Sequence, residues 1–137
     1  MSPGEYANLD ELIDVLHEHV VGINAQTAAV DLLASHRVWL ARADFARFIQ
    51  PGRCHSTGQP MAMIRWRAAH TALQRDQLPC SNSEANILRI TTSLAAGIPI
   101  SLRDVLGCLD HRNIAHVVRA IGIANDTWPI DLQGTRS

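Results

Sequence analysis

Histidine and cysteine side chains are the groups in this sequence that could bind a metal ion or act in catalysis. The chain has 7 His and 3 Cys. His17 and His19 are two residues apart on a predicted helix, so they point to different sides of it. Cys54 and His55 are adjacent in a predicted loop, and no His-Glu-x-x-His, Cys-x-x-Cys or zinc-finger spacing occurs. We therefore expect no metal, no cofactor and no catalytic residue.

Cys80 has the most specific context of the three thiols. It lies directly before Ser81, which is predicted to cap a helix, and a helix N-terminus can lower the pKa of a thiol. His55 or His70 could supply a base through the fold. The preceding Pro79 instead favours a thiol that packs at the joint between loop and helix. We interpret Cys80 as structural and keep a thiol-dependent enzyme or sensor as an alternative.

Arg112, His116 and Arg119 form the outer stripe of the last predicted helix. Three such side chains can contact phosphates. The stretch Ser101–Gly122 looks like a helix-turn-helix, but either register of that motif places polar residues at buried positions. A nucleic-acid-binding regulator that uses this stripe is therefore an alternative. A solvated helix face is the simpler interpretation, because the helix dipole favours cations near its C-terminal end.

The composition is that of a globular chain, and it excludes several enzyme classes. The 137 residues are 47% hydrophobic and 18% charged, with a net charge of −1. All the basic residues are Arg. Without a Lys, the chain cannot be a Walker-type NTPase or a pyridoxal-phosphate enzyme. The small net charge gives the chain as a whole no electrostatic footprint for nucleic acid.

No feature of the sequence predicts export or a membrane location. The N-terminal residues are acidic where a signal peptide would need a basic start. No stretch approaches the roughly 18 apolar residues of a membrane span. Three cysteines without a paired spacing fit reduced thiols. We expect a cytoplasmic protein with no membrane partner.

Helical periodicity recurs along the chain, and strand alternation does not. Capping residues predict helix starts at Asn8, Asn24, Pro60, Ser81, Ser101 and Asp110. The stretch 25–50 predicts one long helix or two helices with a bend near Ser35 and His36. The residues after Pro51 predict a loop. The last helix is predicted to bury Ile114, Val117, Val118 and Ile121.

These elements predict an all-α fold. Residues 1–137 are expected to form a single-domain irregular bundle of five to seven helices, with an ordered core over about 8–130 and frayed ends. Trp128 and Ile130 could dock on this core.

Three aromatic residues indicate how such a bundle could function. Trp39, Phe45 and Phe48 lie in a stretch, Ser35–Gln50, whose apolar residues cover two sides of a helix. A surface helix of a small bundle needs one apolar side, so this helix is either central or in contact with a partner. Our leading hypothesis is a small helical binding protein without catalytic activity. Its expected partner is another protein chain or a second copy, in a homodimer through the Ser35–Gln50 region, with these three residues as the interface candidates.

The C-terminal half contains a set of residues that carries a resemblance: Trp66, Leu78–Ser81, Glu84, Leu88–Ile90, Ser93–Ala95, Gly97, Pro99, Ser101–Asp104, Leu109–Asp110 and Asn113. In these residues the chain resembles small uncharacterised proteins of high-GC actinobacteria and their phages. It implies a helical fold and an intracellular location. It implies no activity and no site residue.

Overall fold

The computed structural model describes residues 8–129, which form six α-helices and a two-stranded antiparallel sheet. The elements are α1 (Leu9–Val20), α2 (Asn24–His36), β1 (Ile49–Arg53), β2 (Pro60–Ile64), α3 (Trp66–Gln74), α4 (Asn82–Ala96), α5 (Leu102–Leu106) and α6 (His111–Ala124). Helix makes up 58% of the structure, so the predicted helical character is confirmed. Within these residues, no helix has the length and apolar character needed to cross a membrane. The ends predicted to fray, and Ile130, lie outside the described residues.

Most helices begin where the sequence predicts. Asn8, Ser81, Ser101 and Asp110 each accept a hydrogen bond from the backbone N–H three residues later. Such caps satisfy N–H groups that have no partner within the helix. The start of α2 differs, because Asn24 is its first residue and caps nothing.

The hairpin formed by β1 and β2 corrects the predicted all-α fold. The helix predicted over 25–50 ends at His36, and Arg37 adopts a left-handed conformation with φ of 66°. A short 3₁₀ helix, Ala46–Phe48, then leads into β1. The helix predicted to start at Pro60 is β2 up to Ile64.

The residues of the hairpin explain why a strand forms there. Ala62 and Ile64 are buried, whereas Met63 between them is exposed, which is the two-residue period of a half-buried strand. β1 contains Pro51, which a sheet tolerates in an edge strand. The register pairs Ile49 with Ile64 and Arg53 with Pro60.

The helices and the hairpin enclose two clusters of buried side chains, which we call the first and second cores. The first core lies among α1, α2, the hairpin, α3 and α4. The second core lies among α2, α4, α5 and α6. α2 serves both cores, because Leu33 belongs to the first and Leu32 to the second. On α6, Val117 is buried as predicted, but Val118 and Ile121 are 43% and 50% exposed.

Candidate functional site

The structure places Trp39, Phe45 and Phe48 inside the first core. Their rings contact one another, with centroids 5.7 Å apart for Trp39 and Phe45 and 5.6 Å apart for Phe45 and Phe48. The indole N–H of Trp39 donates to the carbonyl of Glu84 at 2.9 Å. These three side chains, predicted at a partner interface, are thus buried within one chain, and the interface itself stays a prediction. The two-sided apolar pattern is accounted for by packing within one chain.

The three residues proposed to contact nucleic acid lie on one face of α6 but have different surroundings. Nε of Arg119 pairs with a carboxylate oxygen of Asp31 at 3.0 Å, and its guanidinium lies over the ring of Trp128. Arg112 and His116 instead line a cleft of about 430 Å³ beside the C-terminal end of α2. Arg119 is thus already neutralised by a carboxylate.

The cleft beside α6 is electrostatically mixed. His36 lines it, and burial and the nearby His116 lower the pKa of His36. The Nδ1 atom of His36 is buried and has no hydrogen-bond partner within residues 8–129. Asp110 lines the same cleft and opposes the charge of Arg112 there. The arrangement is therefore a poor match for a chain of phosphates.

Cys80 is partly exposed and packs against the first core. Burial raises the pKa of its thiol, and Glu84 acts in the same direction. A raised pKa leaves less thiolate at neutral pH, so this environment favours a structural role over a reactive one.

A different cysteine lines a sizeable cavity. This cavity of about 600 Å³ lies between α1 and the hairpin, and its lining includes His19 of α1 and Cys54, His55, Met61 and Met63 of the hairpin. A second cavity of about 490 Å³ adjoins it and is lined by Glu11, Val15 and the hairpin. The two cavities share Pro51, Gly52, Arg53 and Met61. We call them together the hairpin groove.

The sequence of α1 explains which of its residues line the groove. Glu11, Val15 and His19 are four residues apart, so they lie on one face of the helix and span roughly 12 Å along it. The neighbouring face buries Leu12 and Leu16 in the first core. Because Leu12 and Leu16 are buried, the face of α1 that carries Glu11, Val15 and His19 is held beside the hairpin.

Gly52 leaves the hairpin side of the groove without a side chain at this position. A Cβ atom at this position would meet no atom within 4 Å, and its backbone is not left-handed. The glycine therefore leaves open space that a larger side chain would occupy. Glycine in a strand often marks a place where a ligand approaches the backbone.

The hairpin turn positions the thiol at the end of the groove. The backbone N–H of Cys54 donates to the carbonyl of Gln59 at 2.9 Å, and its carbonyl accepts from Gly58 at 2.8 Å. A guanidinium nitrogen of Arg53 donates to the Gly58 carbonyl at 3.0 Å and closes the turn. Sγ of Cys54 lies 3.2 Å from the hydroxyl of Ser56. Hydrogen bonds from Ser56 and then Thr57 lower the pKa of the Cys54 thiol to about 6.

No protein-family model, curated protein or solved structure matches this chain. The resemblance to actinobacterial proteins stays a prediction. The geometry of the groove is therefore the basis for a functional proposal.

The groove combines an apolar floor with a few polar groups at its edge. Met61 and Met63, which lie on the same face of β2, supply the floor, and His19, Arg53 and His55 supply the edge of the larger cavity. Cavities of this kind are typical binding sites for small molecules. In the part of the chain that the structure describes, no group of three or more His, Cys, Asp or Glu is arranged to hold a metal ion.

The sequence predicts a loop at Cys54 and His55, with no role for Cys54 and, for His55, only that of a possible base for Cys80. The stretch Met61–Ile64 is apolar throughout, so the sequence shows no alternation there, and the two-residue period appears only in the burial of the side chains. Nothing in the sequence indicates that α1 packs beside the hairpin.

Proposed function

We propose that the protein is a small, non-catalytic binding protein whose ligand is a small organic molecule with an apolar body, held in the hairpin groove. The observation that carries this proposal is the cavity of about 600 Å³ over a floor of Met61 and Met63. Its volume lies within the roughly 300–1,000 Å³ that small-molecule sites occupy.

A binding role fits the surroundings of Cys54 better than a catalytic one. Cys54 hydrogen-bonds to the hydroxyl of Ser56, which is not a general base at neutral pH. Its neighbours on the floor are thioether and methyl groups, which offer contact area to an apolar ligand. The homodimer stays a prediction, but the aromatic residues that suggested it are buried within the chain.

Filling the groove is expected to abolish its binding capacity without weakening the fold. Gly52→Leu should lower the affinity for the apolar fluorescent probe anilinonaphthalene sulfonate by about tenfold or more, because the new side chain occupies the space above Met61. The free energy of unfolding should not fall, because glycine within a strand is itself unfavourable. Fluorescence titration and urea denaturation measure the two quantities.

Two variants control for binding elsewhere. Gly107→Leu adds the same side chain at the end of α5, where a Cβ would make ordinary contacts of 3.5 and 3.9 Å. Ile121→Ser removes an exposed apolar side chain from α6. Both should leave probe affinity unchanged. Loss of binding in Ile121→Ser, with normal binding in Gly52→Leu, would place the apolar site on α6 and contradict the proposal.

A further inference from the structure

We propose that the hairpin groove is a site of reversible thiolation, in which Cys54 forms a mixed disulfide with a small-molecule thiol whose apolar part lies on the methionine floor. This inference rests on the proposed function, because it names the chemical class of a ligand for the same groove. It adds a covalent bond at one defined atom, Sγ of Cys54.

The position of Cys54 suits such a bond. The residue follows β1 directly, and its backbone hydrogen bond with Gln59 continues the ladder beyond the Arg53–Pro60 pair. The thiol is therefore carried by a hydrogen-bonded turn rather than by a free loop. It lines the same cavity as Met61 and Met63, so a group attached to Sγ can extend over the floor.

The charged and titratable groups around the thiol admit anionic as well as neutral partners. His19 faces the larger cavity from α1, and Arg53 and His55 face it from the hairpin. The residues that line this cavity include no carboxylate, and Glu11 lies along the adjoining one. The hydroxyl groups that lower the pKa of Cys54 to about 6 also favour the thiolate that exchange requires.

The other two cysteines of the chain are poor candidates for the second sulfur. All three cysteines are free thiols, and neither Cys80 nor Cys108 lines the groove. Cys80 packs against the first core, and Cys108 is exposed between α5 and α6. The disulfide proposed at Cys54 therefore joins it to a thiol outside its own chain.

The reaction balances as thiol–disulfide exchange. The thiolate of Cys54 attacks one sulfur of a small disulfide, R–S–S–R. The S–S bond of that molecule breaks as the bond between Sγ and the attacked sulfur forms. The second sulfur leaves as a thiolate and takes a proton from water. Cys54 is oxidised to the mixed disulfide, and the departing thiol is the reduced product.

The pH dependence of the reaction provides the test. The full-length protein is treated with bis(2-hydroxyethyl) disulfide between pH 5 and 9, and the adduct at each cysteine is followed by mass spectrometry of peptides. At pH 6 about half of Cys54 is thiolate, compared with about 0.3% of an ordinary thiol of pKa about 8.5. Allowing for the lower nucleophilicity of a weaker base, Cys54 should react about tenfold faster than free N-acetylcysteine amide at that pH.

The rate profile and two variants decide the outcome. The rate at Cys54 should have its midpoint near pH 6 and level off above it, and Gly52→Leu should slow it about tenfold by restricting access. Cys108→Ser should change neither result. A midpoint above pH 8, or an unchanged rate in Gly52→Leu, would overturn the thiolation site. If probe binding still requires an open groove in that case, the proposed binding function stands and only the covalent step is wrong.

Discussion

Trp39→Ala is expected to lower the free energy of unfolding by about 3–5 kcal/mol, as large aromatic truncations in cores do. The indole is fully buried, and it contacts the ring of Phe45. The guanidinium of Arg42 lies 4.5 Å from its ring centroid. The substitution leaves a cavity in the first core and removes the hydrogen bond to the carbonyl of Glu84 at the start of α4.

Urea denaturation followed by circular dichroism measures this loss. Trp128→Ala is the matched control, because Trp128 is 40% exposed and its removal should lower the free energy of unfolding by much less than Trp39→Ala does. Trp39→Phe keeps most of the ring volume and removes the N–H donor. It should therefore lower the free energy of unfolding by more than Trp128→Ala and by less than Trp39→Ala. Equal effects of Trp39→Ala and Trp128→Ala would show that Trp39 is not a core residue.

Leu32→Ala should lower the free energy of unfolding by about 2–5 kcal/mol and should loosen α6 in particular. Leu32 is fully buried in the second core, where its neighbours include Val117 and Ala120 of α6. A cavity on this side of α2 weakens the attachment of α6 while leaving the packing of the hairpin intact. Local stability of this kind is visible in the exchange of backbone amide hydrogens.

Leu33→Ala is the control for this prediction, because the next residue of α2 lies in the first core. Leu33→Ala should lower the free energy of unfolding by about as much as Leu32→Ala does. The amides that lose protection should instead be those of α1 and the hairpin. Identical exchange patterns in the two variants would mean that the cores are not separable, which would contradict the assignment of these residues to different clusters.

The sequence predicted helix ends well where the interaction is local. The hydrogen bonds between Ser81 and Glu84 span three residues, and the left-handed Gly97 ends α4 where a glycine is expected. Such signals need only the residues beside them. The residue types alone were therefore sufficient.

The hairpin could not be predicted in the same way. β1 contains Pro51 and Gly52, which are both unfavourable in strands. The strand exists because it pairs with β2, while buried residues of both strands lie in the core that α1 shares. The stabilising contacts come from residues distant in the sequence.

The candidate site was missed for the same reason. The cap next to Cys80 is formed by its neighbours in sequence. The surroundings of Cys54 instead include His19 of α1, which is distant in sequence. The hydrogen bond to Ser56 is local, but it becomes informative only once the turn is known. Helix faces that line cavities cannot be assigned before the packing partner is identified.

Because α2 belongs to both cores, the order in which the two cores can form during synthesis on the ribosome is set. Every buried residue of the first core precedes Ile90, so this core can close before α5 and α6 have left the ribosome. Until α6 follows, Ala28 and Leu32 present an apolar surface on the outer side of the nascent chain. Exposed apolar surface of this kind favours aggregation, and the packing of α6 covers it.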